Sequence, residues 1–134
     1  MNPGNDSVNG LVAYIRSYAS EYLENFHIQY HIIVPDEIPQ KDVSGVKRRN
    51  IFLVLKESLN NVMKHANASE VTVTIQFNNN ILVEIKDNGK GIDSEKLNQF
   101  GNGLKNMQRR MESIGGSFSI SSNNGTITKL EIPI

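Results

Sequence analysis

Residues 71–87, VTVTIQFNNNILVEIKD, contain two runs in which apolar and polar side chains alternate. Val71, Val73, Ile75 and Phe77 form the first set, and Ile81, Val83 and Ile85 the second, with Asn78-Asn79-Asn80 between them. A period of two marks strands with one buried face, and an asparagine-rich break between two such runs predicts a β-hairpin. Asp87 has the parity of Ile81, Val83 and Ile85, so its carboxylate points to the side of three apolar residues. It is either the first residue of an Asp-Asn-Gly turn or a buried acceptor for a ligand N–H. A simple hairpin turn would lead into another strand, whereas Gly89-Lys90-Gly91-Ile92 leads into a polar, glycine-punctuated segment extending to Gly103. Segments of that length inside a small domain are usually functional or mobile.

Upstream of the hairpin, residues 44–65 predict a long helix with Ile51, Leu55, Leu59, Val62 and Ala66 on its core stripe, ended by Asn67-Ala68-Ser69. Val8, Leu11, Val12, Ile15, Ala19, Tyr22, Leu23 and Phe26 mark an earlier helix, and Ile28, Tyr30, Ile32 and Val34 a strand closed by Pro35. Downstream, a helix runs from Leu104 to about Ile114 and stops at Gly115-Gly116, and Phe118/Ile120 with Leu130/Ile132 form a last hairpin. The order α-β-α-β-β-loop-α-β-β predicts an α+β two-layer sandwich, with helices covering one face of a mixed sheet. Residues 1–7, MNPGNDS, are expected to be a disordered stub, and residues 8–134 a single domain.

Composition narrows the chemistry. The 134 residues carry 14 Lys+Arg against 14 Asp+Glu, which argues against a nucleic-acid binder relying on a basic face. With no cysteine there are no disulfides, thiolate metal sites or cysteine nucleophiles. His27, His31 and His65 show no metal-ligand spacing, and no apolar run is long enough to span a bilayer. A cytoplasmic domain without direct membrane contact is expected.

Polar residues stand out at three further places. Glu57, Asn61, Lys64 and His65 fall at i, i+4, i+7 and i+8 on the long helix. That stripe is either a solvated face or a set able to orient a nucleophile, ligate Mg²⁺ and hold phosphate. Gly101-Asn102-Gly103-Leu104 opens a helix whose free N–H groups could meet an anion, although neither the dinucleotide fingerprint nor the GxxxxGK[ST] loop is present. Thr126 follows Gly125 and shares parity with Thr128, Leu130 and Ile132, so its hydroxyl could lie on the apolar side.

Taken in order, Glu57…Asn61…Lys64-His65-Ala-Asn-Ala68, Asp87-Asn-Gly-Lys-Gly91-Ile92, Gly101-Asn-Gly-Leu104 and Gly125-Thr126 resemble the ATP-binding catalytic domain of sensor histidine kinases in the GHKL superfamily. The branch it is most similar to pairs with helix-turn-helix response regulators. This resemblance implies a Bergerat fold with a short ATP lid between Ile92 and Gly101, with ATP and Mg²⁺ as cofactors. It implies that Asn61 binds the metal and that Glu57 assists proton transfer or orients the nucleophile. Lys64 and His65 would lie near the nucleotide, with Lys64 contacting phosphate, and Asp87 would accept the adenine 6-amino N–H. Gly89, Gly91 and Ile92 would shape the first glycine box, Gly101, Gly103 and Leu104 the second, and Thr126 would join Asp87 around adenine. The implied partners are a histidine-bearing dimerisation domain and, downstream, a response regulator. No histidine–acid pair lies in a predicted helix here, so the chain is expected to be a monomeric fragment that lacks its acceptor, from a parent that could be membrane-anchored. A serine kinase of the anti-sigma-factor type, or a non-catalytic ATP-binding switch, would have the same fold.

Overall fold

A computed structural model describes residues 7–90, 102–122 and 124–134. Helix α1 spans Val8–Asn25, strand β1 Gln29–Ile33, helix α2 Gly45–Asn61, strands β2 and β3 Glu70–Phe77 and Asn80–Asp87, helix α3 Asn102–Glu112, and strands β4 and β5 Ser117–Ser122 and Thr126–Pro133. Of the expected stub only Ser7 is described; its hydroxyl caps α1 by accepting from the Gly10 N–H at 2.9 Å.

The five strands lie in the order β1-β2-β3-β5-β4. β1 runs parallel to β2 through the α2 crossover, and the other pairs are antiparallel, so the sheet is mixed as expected. The register follows the sequence period: Val73 pairs with Ile85, Val83 with Leu130, and Ile81 with Ile132, all of them buried. Against this apolar face pack Leu11, Ile15, Ala19 and Leu23 of α1, Ile51, Leu55 and Leu59 of α2, and Met107 and Met111 of α3. The alternate residues Thr72, Thr74, Glu84 and Lys86 are half-buried or exposed, as the outer face of a two-layer sandwich requires. Side chains such as Leu55 each contribute about 1.5–3 kcal/mol by leaving water.

One expectation about α2 is corrected. The α-helix does not continue to His65; it ends at Asn61, and Val62–Ala66 form a π-helical turn closed by Asn67 in the left-handed region at φ 51. A wider turn changes the angular step between residues, so the i, i+7, i+8 stripe drawn from Glu57 does not hold past Asn61. Phe26, expected on the buried face of α1, is also 52% exposed, because the helix ends one residue before it.

Candidate functional site

The site is built where β3 ends. Three apolar residues of β3 alternate into the core and Asp87 follows them inward, so it is buried at 2% exposure. Its Oδ1 accepts from the Gly89 N–H at 2.8 Å and the Thr126 N–H at 3.3 Å, while Oδ2 has no partner among the described residues. Burial pushes the Asp87 carboxyl above the ordinary carboxylate range, opposed by those two N–H groups and the nearby Thr126 hydroxyl. An under-bonded buried carboxylate is costly, and in a cleft it marks a place for a ligand donor.

Two other buried polar atoms lack partners among the described residues: Asn61 Nδ2 and Thr126 Oγ1. Asn61, Asp87 and Thr126 come from α2, β3 and β5, yet all line one narrow cleft. Its apolar walls are Val62, Met107, Phe118 and Ile120, joined by Ser58 and Thr128. The cleft thus offers a greasy slot with unsatisfied polar groups on its lining, the form of a small-molecule site.

Other expected site residues take different positions. Glu57 is half-buried on α2 beside the start of α3, its Oε1 3.8 Å from where a β-carbon on Gly103 would stand. Gly103 and Leu104 are half-buried in the first turn of α3, and Leu104 packs against the core. Lys64 is exposed in the π-helical turn and does not line the cleft, and His65 lies in the same turn. Gly89 takes part through its backbone N–H. Gly91, Ile92, Gly101 and the expected lid lie outside the described residues. No group of three or more His, Asp or Glu able to hold a metal occurs among the described residues. A metal here would take few protein ligands, as Mg²⁺ does when phosphates and water complete its shell.

Sequence reasoning missed several contributors. Ser58 is a polar residue on the core side of α2, three after Leu55 and four before Val62, and that misplacement was the available clue. Thr128 shares the parity of Thr126, which could have found it. Asn88 was read only as turn punctuation. Its Oδ1 accepts from the N–H groups of Ser69 and Glu70, each at 3.0 Å, and its Nδ2 donates to Ser69 Oγ at 3.0 Å. These bonds staple the end of β3 to the start of β2 and fix Asp87 in place.

This architecture, a mixed five-stranded sheet with α1, α2 and α3 on one face and a cleft between α2, α3 and the sheet, is that of the Bergerat fold. The family described as "Histidine kinase-, DNA gyrase B-, and HSP90-like ATPase" matches residues 46–134, and the chain belongs to it. ATP is the nucleotide of that family. The sensor histidine kinase YvfT of Bacillus subtilis is 38% identical over 93 residues, which are 69% of this chain and 24% of that protein. The oxygen sensor histidine kinase NreB of Staphylococcus carnosus is 34% identical over 131 residues, covering 93% of this chain and 37% of that protein. The chain therefore spans well under half the length of these curated relatives. Among solved structures, the histidine kinase domain from Erythrobacter litoralis EL346 shares the fold with a TM-score of 0.75 at 22% identity, over 92% of this chain and 60% of that one. The catalytic domain of histidine kinase ThkA does so with a TM-score of 0.73 at 18% identity, over 96% and 95% of the two chains.

Proposed function

We propose that this chain is the ATP-binding catalytic domain of a two-component sensor histidine kinase, handing the γ-phosphoryl group of ATP to a histidine on a separate dimerisation domain. The observation that carries this reading is the convergence of three unpaired buried polar atoms, from Asn61, Asp87 and Thr126, on one apolar cleft.

In this reading Asp87 Oδ2 accepts the 6-amino N–H of adenine and Thr126 supports the same edge. Apolar walls from Met107, Phe118 and Ile120 exclude water around the base, so this single acceptor discriminates strongly. The phosphates leave the cleft toward Glu57 and the start of α3. There the backbone N–H groups around Gly103 offer donors without a basic patch, consistent with the balanced charge of the chain. Mg²⁺ would be held by the side-chain oxygen of Asn61 together with the phosphates, and would supply charge neutralisation. Glu57 takes the proton from the attacking imidazole as its nitrogen bonds to γ-phosphorus and the bond to ADP breaks, a reaction that depends mainly on positioning and charge. Lys64, exposed in the π-helical turn, reaches phosphate only from the rim; Gly89 and Leu104, and the roles that the family resemblance gives His65, Gly91, Ile92 and Gly101, belong to the same nucleotide reading. A histidine-bearing dimerisation domain is the direct partner and a response regulator the later one. The domain works in the cytoplasm and is monomeric alone.

Calorimetry of the chain with ADP, with and without Mg²⁺, tests this reading. Binding is expected to be strengthened by the metal in the unaltered chain and much less so in Asn61→Ala, which removes the amide oxygen. In phosphorylation assays with γ-labelled ATP, label is expected on an added dimerisation domain in acid-labile form and hardly at all on this chain. Absence of ADP binding, or efficient labelling of the chain by itself, would overturn the proposal.

A further inference from the structure

Ser58 sits in the cleft wall with a hydroxyl that serves nothing yet described. It is 2% exposed, one residue beyond Glu57 and three before Asn61 on the inward side of α2. Its Oγ–H donates to Met107 Sδ at 3.6 Å. A thioether is a weak acceptor, and a buried hydroxyl ordinarily finds oxygen or nitrogen. Alanine would fill the same space without the cost of burying a polar group, so the hydroxyl costs stability unless another partner arrives. That partner must enter the cleft, because Ser58 and Met107 both line it beside Asp87 and Thr126.

We propose that Ser58 is a specificity-determining residue for the base of the nucleotide: its hydroxyl leaves Met107 and donates to one of the two purine ring nitrogens, N1 or N7, that lie on either side of the 6-amino group. This inference rests on the nucleotide reading above. The chemistry is complementary. Asp87 Oδ2 can only accept when ionised, so it reads an exocyclic N–H; ring nitrogens N1 and N7 can only accept, so they need a donor. A hydroxyl rotor with a weak resting partner provides that donor at little reorganisation cost. Met107 is flexible and polarizable, and once released it packs on the face of the base from α3.

The alternative role for Ser58 is structural, tying α2 to α3 through Met107, and the two roles separate cleanly. Calorimetry of the full chain with ADP, 1-deaza-ADP and 7-deaza-ADP reads the hydrogen bond directly. The unaltered chain is expected to bind one deaza analogue about tenfold more weakly than ADP. Ser58→Ala is expected to lose that ratio, binding ADP and this analogue alike. Met107→Leu keeps the volume but removes the thioether, and it is expected to retain the ratio whatever its absolute affinity. If Ser58→Ala discriminates between ADP and the analogues as the unaltered chain does, or Met107→Leu reproduces Ser58→Ala, the assignment is overturned while Asp87→Asn still tests the nucleotide site. If the unaltered chain binds no ADP, the nucleotide reading fails first and this inference with it.

Discussion

A β-carbon on residue 125 would stand 1.9 Å from the backbone oxygen of Asp87, so only glycine can occupy Gly125. Gly125 also has φ +131, outside the range of ordinary side chains, and follows Asn124 at φ 51. This close crossing lays the start of β5 over the end of β3 and brings the Thr126 N–H onto the Asp87 carboxylate. The Asp87 end of the cleft therefore depends on a residue that has no side chain.

Gly125→Ala is expected to destabilise the domain by at least about 2 kcal/mol, because positive-φ strain and a backbone clash must both be relieved. A thermal melt would show a fall in Tm of about 7 °C or more. A change within error would mean that the two backbones can move apart freely.

Asp87→Asn should separate stability from function. Asparagine keeps an oxygen for the Gly89 and Thr126 N–H groups but removes a buried charge, so the empty variant is expected to be at least as stable at neutral pH. ADP affinity is expected to drop about 100-fold or more, since the amide presents a donor to a donor. Tight binding by the folded variant would refute the role given to Asp87.

The same carboxyl sets a pH dependence. Because burial raises its folded-state value above the ordinary 3.8, the folded domain keeps a proton that the unfolded chain has already lost. Stability of the empty domain therefore falls as pH rises from that ordinary value through the raised one. Denaturant titrations across this window should show Asp87→Asn gaining on the unaltered chain as pH increases, then a constant gap. Parallel curves would contradict the burial argument.

Asn88→Ala removes three hydrogen bonds to Ser69 and Glu70. All are exposed to solvent, so the expected cost is modest, about 1–2 kcal/mol. ADP binding should weaken as well, because the staple fixes Asp87. Unchanged affinity in a folded Asn88→Ala chain would show that the strand end is held by the ladder alone.

His27 closes α1 in the left-handed region at φ 56, with its N–H donating to Glu24 O and that of Ile28 to Leu23 O, each at 3.0 Å. Glycine normally fills this position. His27→Gly is expected to stabilise the domain by up to about 1 kcal/mol, read as a raised urea midpoint at unchanged slope. A lowered midpoint would mean that the histidine ring contributes packing worth more than the strain.

The strands, the helix order and the inward turn of Asp87 were all legible in the sequence. Each rests on a local period, and a buried sheet face cannot tolerate a one-residue slip. The π-helical turn was not legible: Val62–Ala66 have good helical composition, and the α stripe was extrapolated through them, which put Lys64 in line with Glu57 and Asn61. Gly91, Ile92 and Gly101 were read from sequence alone and lie outside the described residues. Ser58 and Asn88 escaped notice because serine and asparagine have common bland uses, and only their tertiary neighbours distinguish them.

By itself, then, the sequence determined which residues face the core and in what order the polar exceptions occur, because hydrophobic burial acts on local periodicity. Tertiary structure decided that Asn61, Asp87 and Thr126, from three separate elements, meet in one cleft with atoms left unpaired. It also decided that Gly125 must be bare for that to happen. Non-local contacts of this kind are set by how the sheet and helices pack, and no spacing along the chain records them.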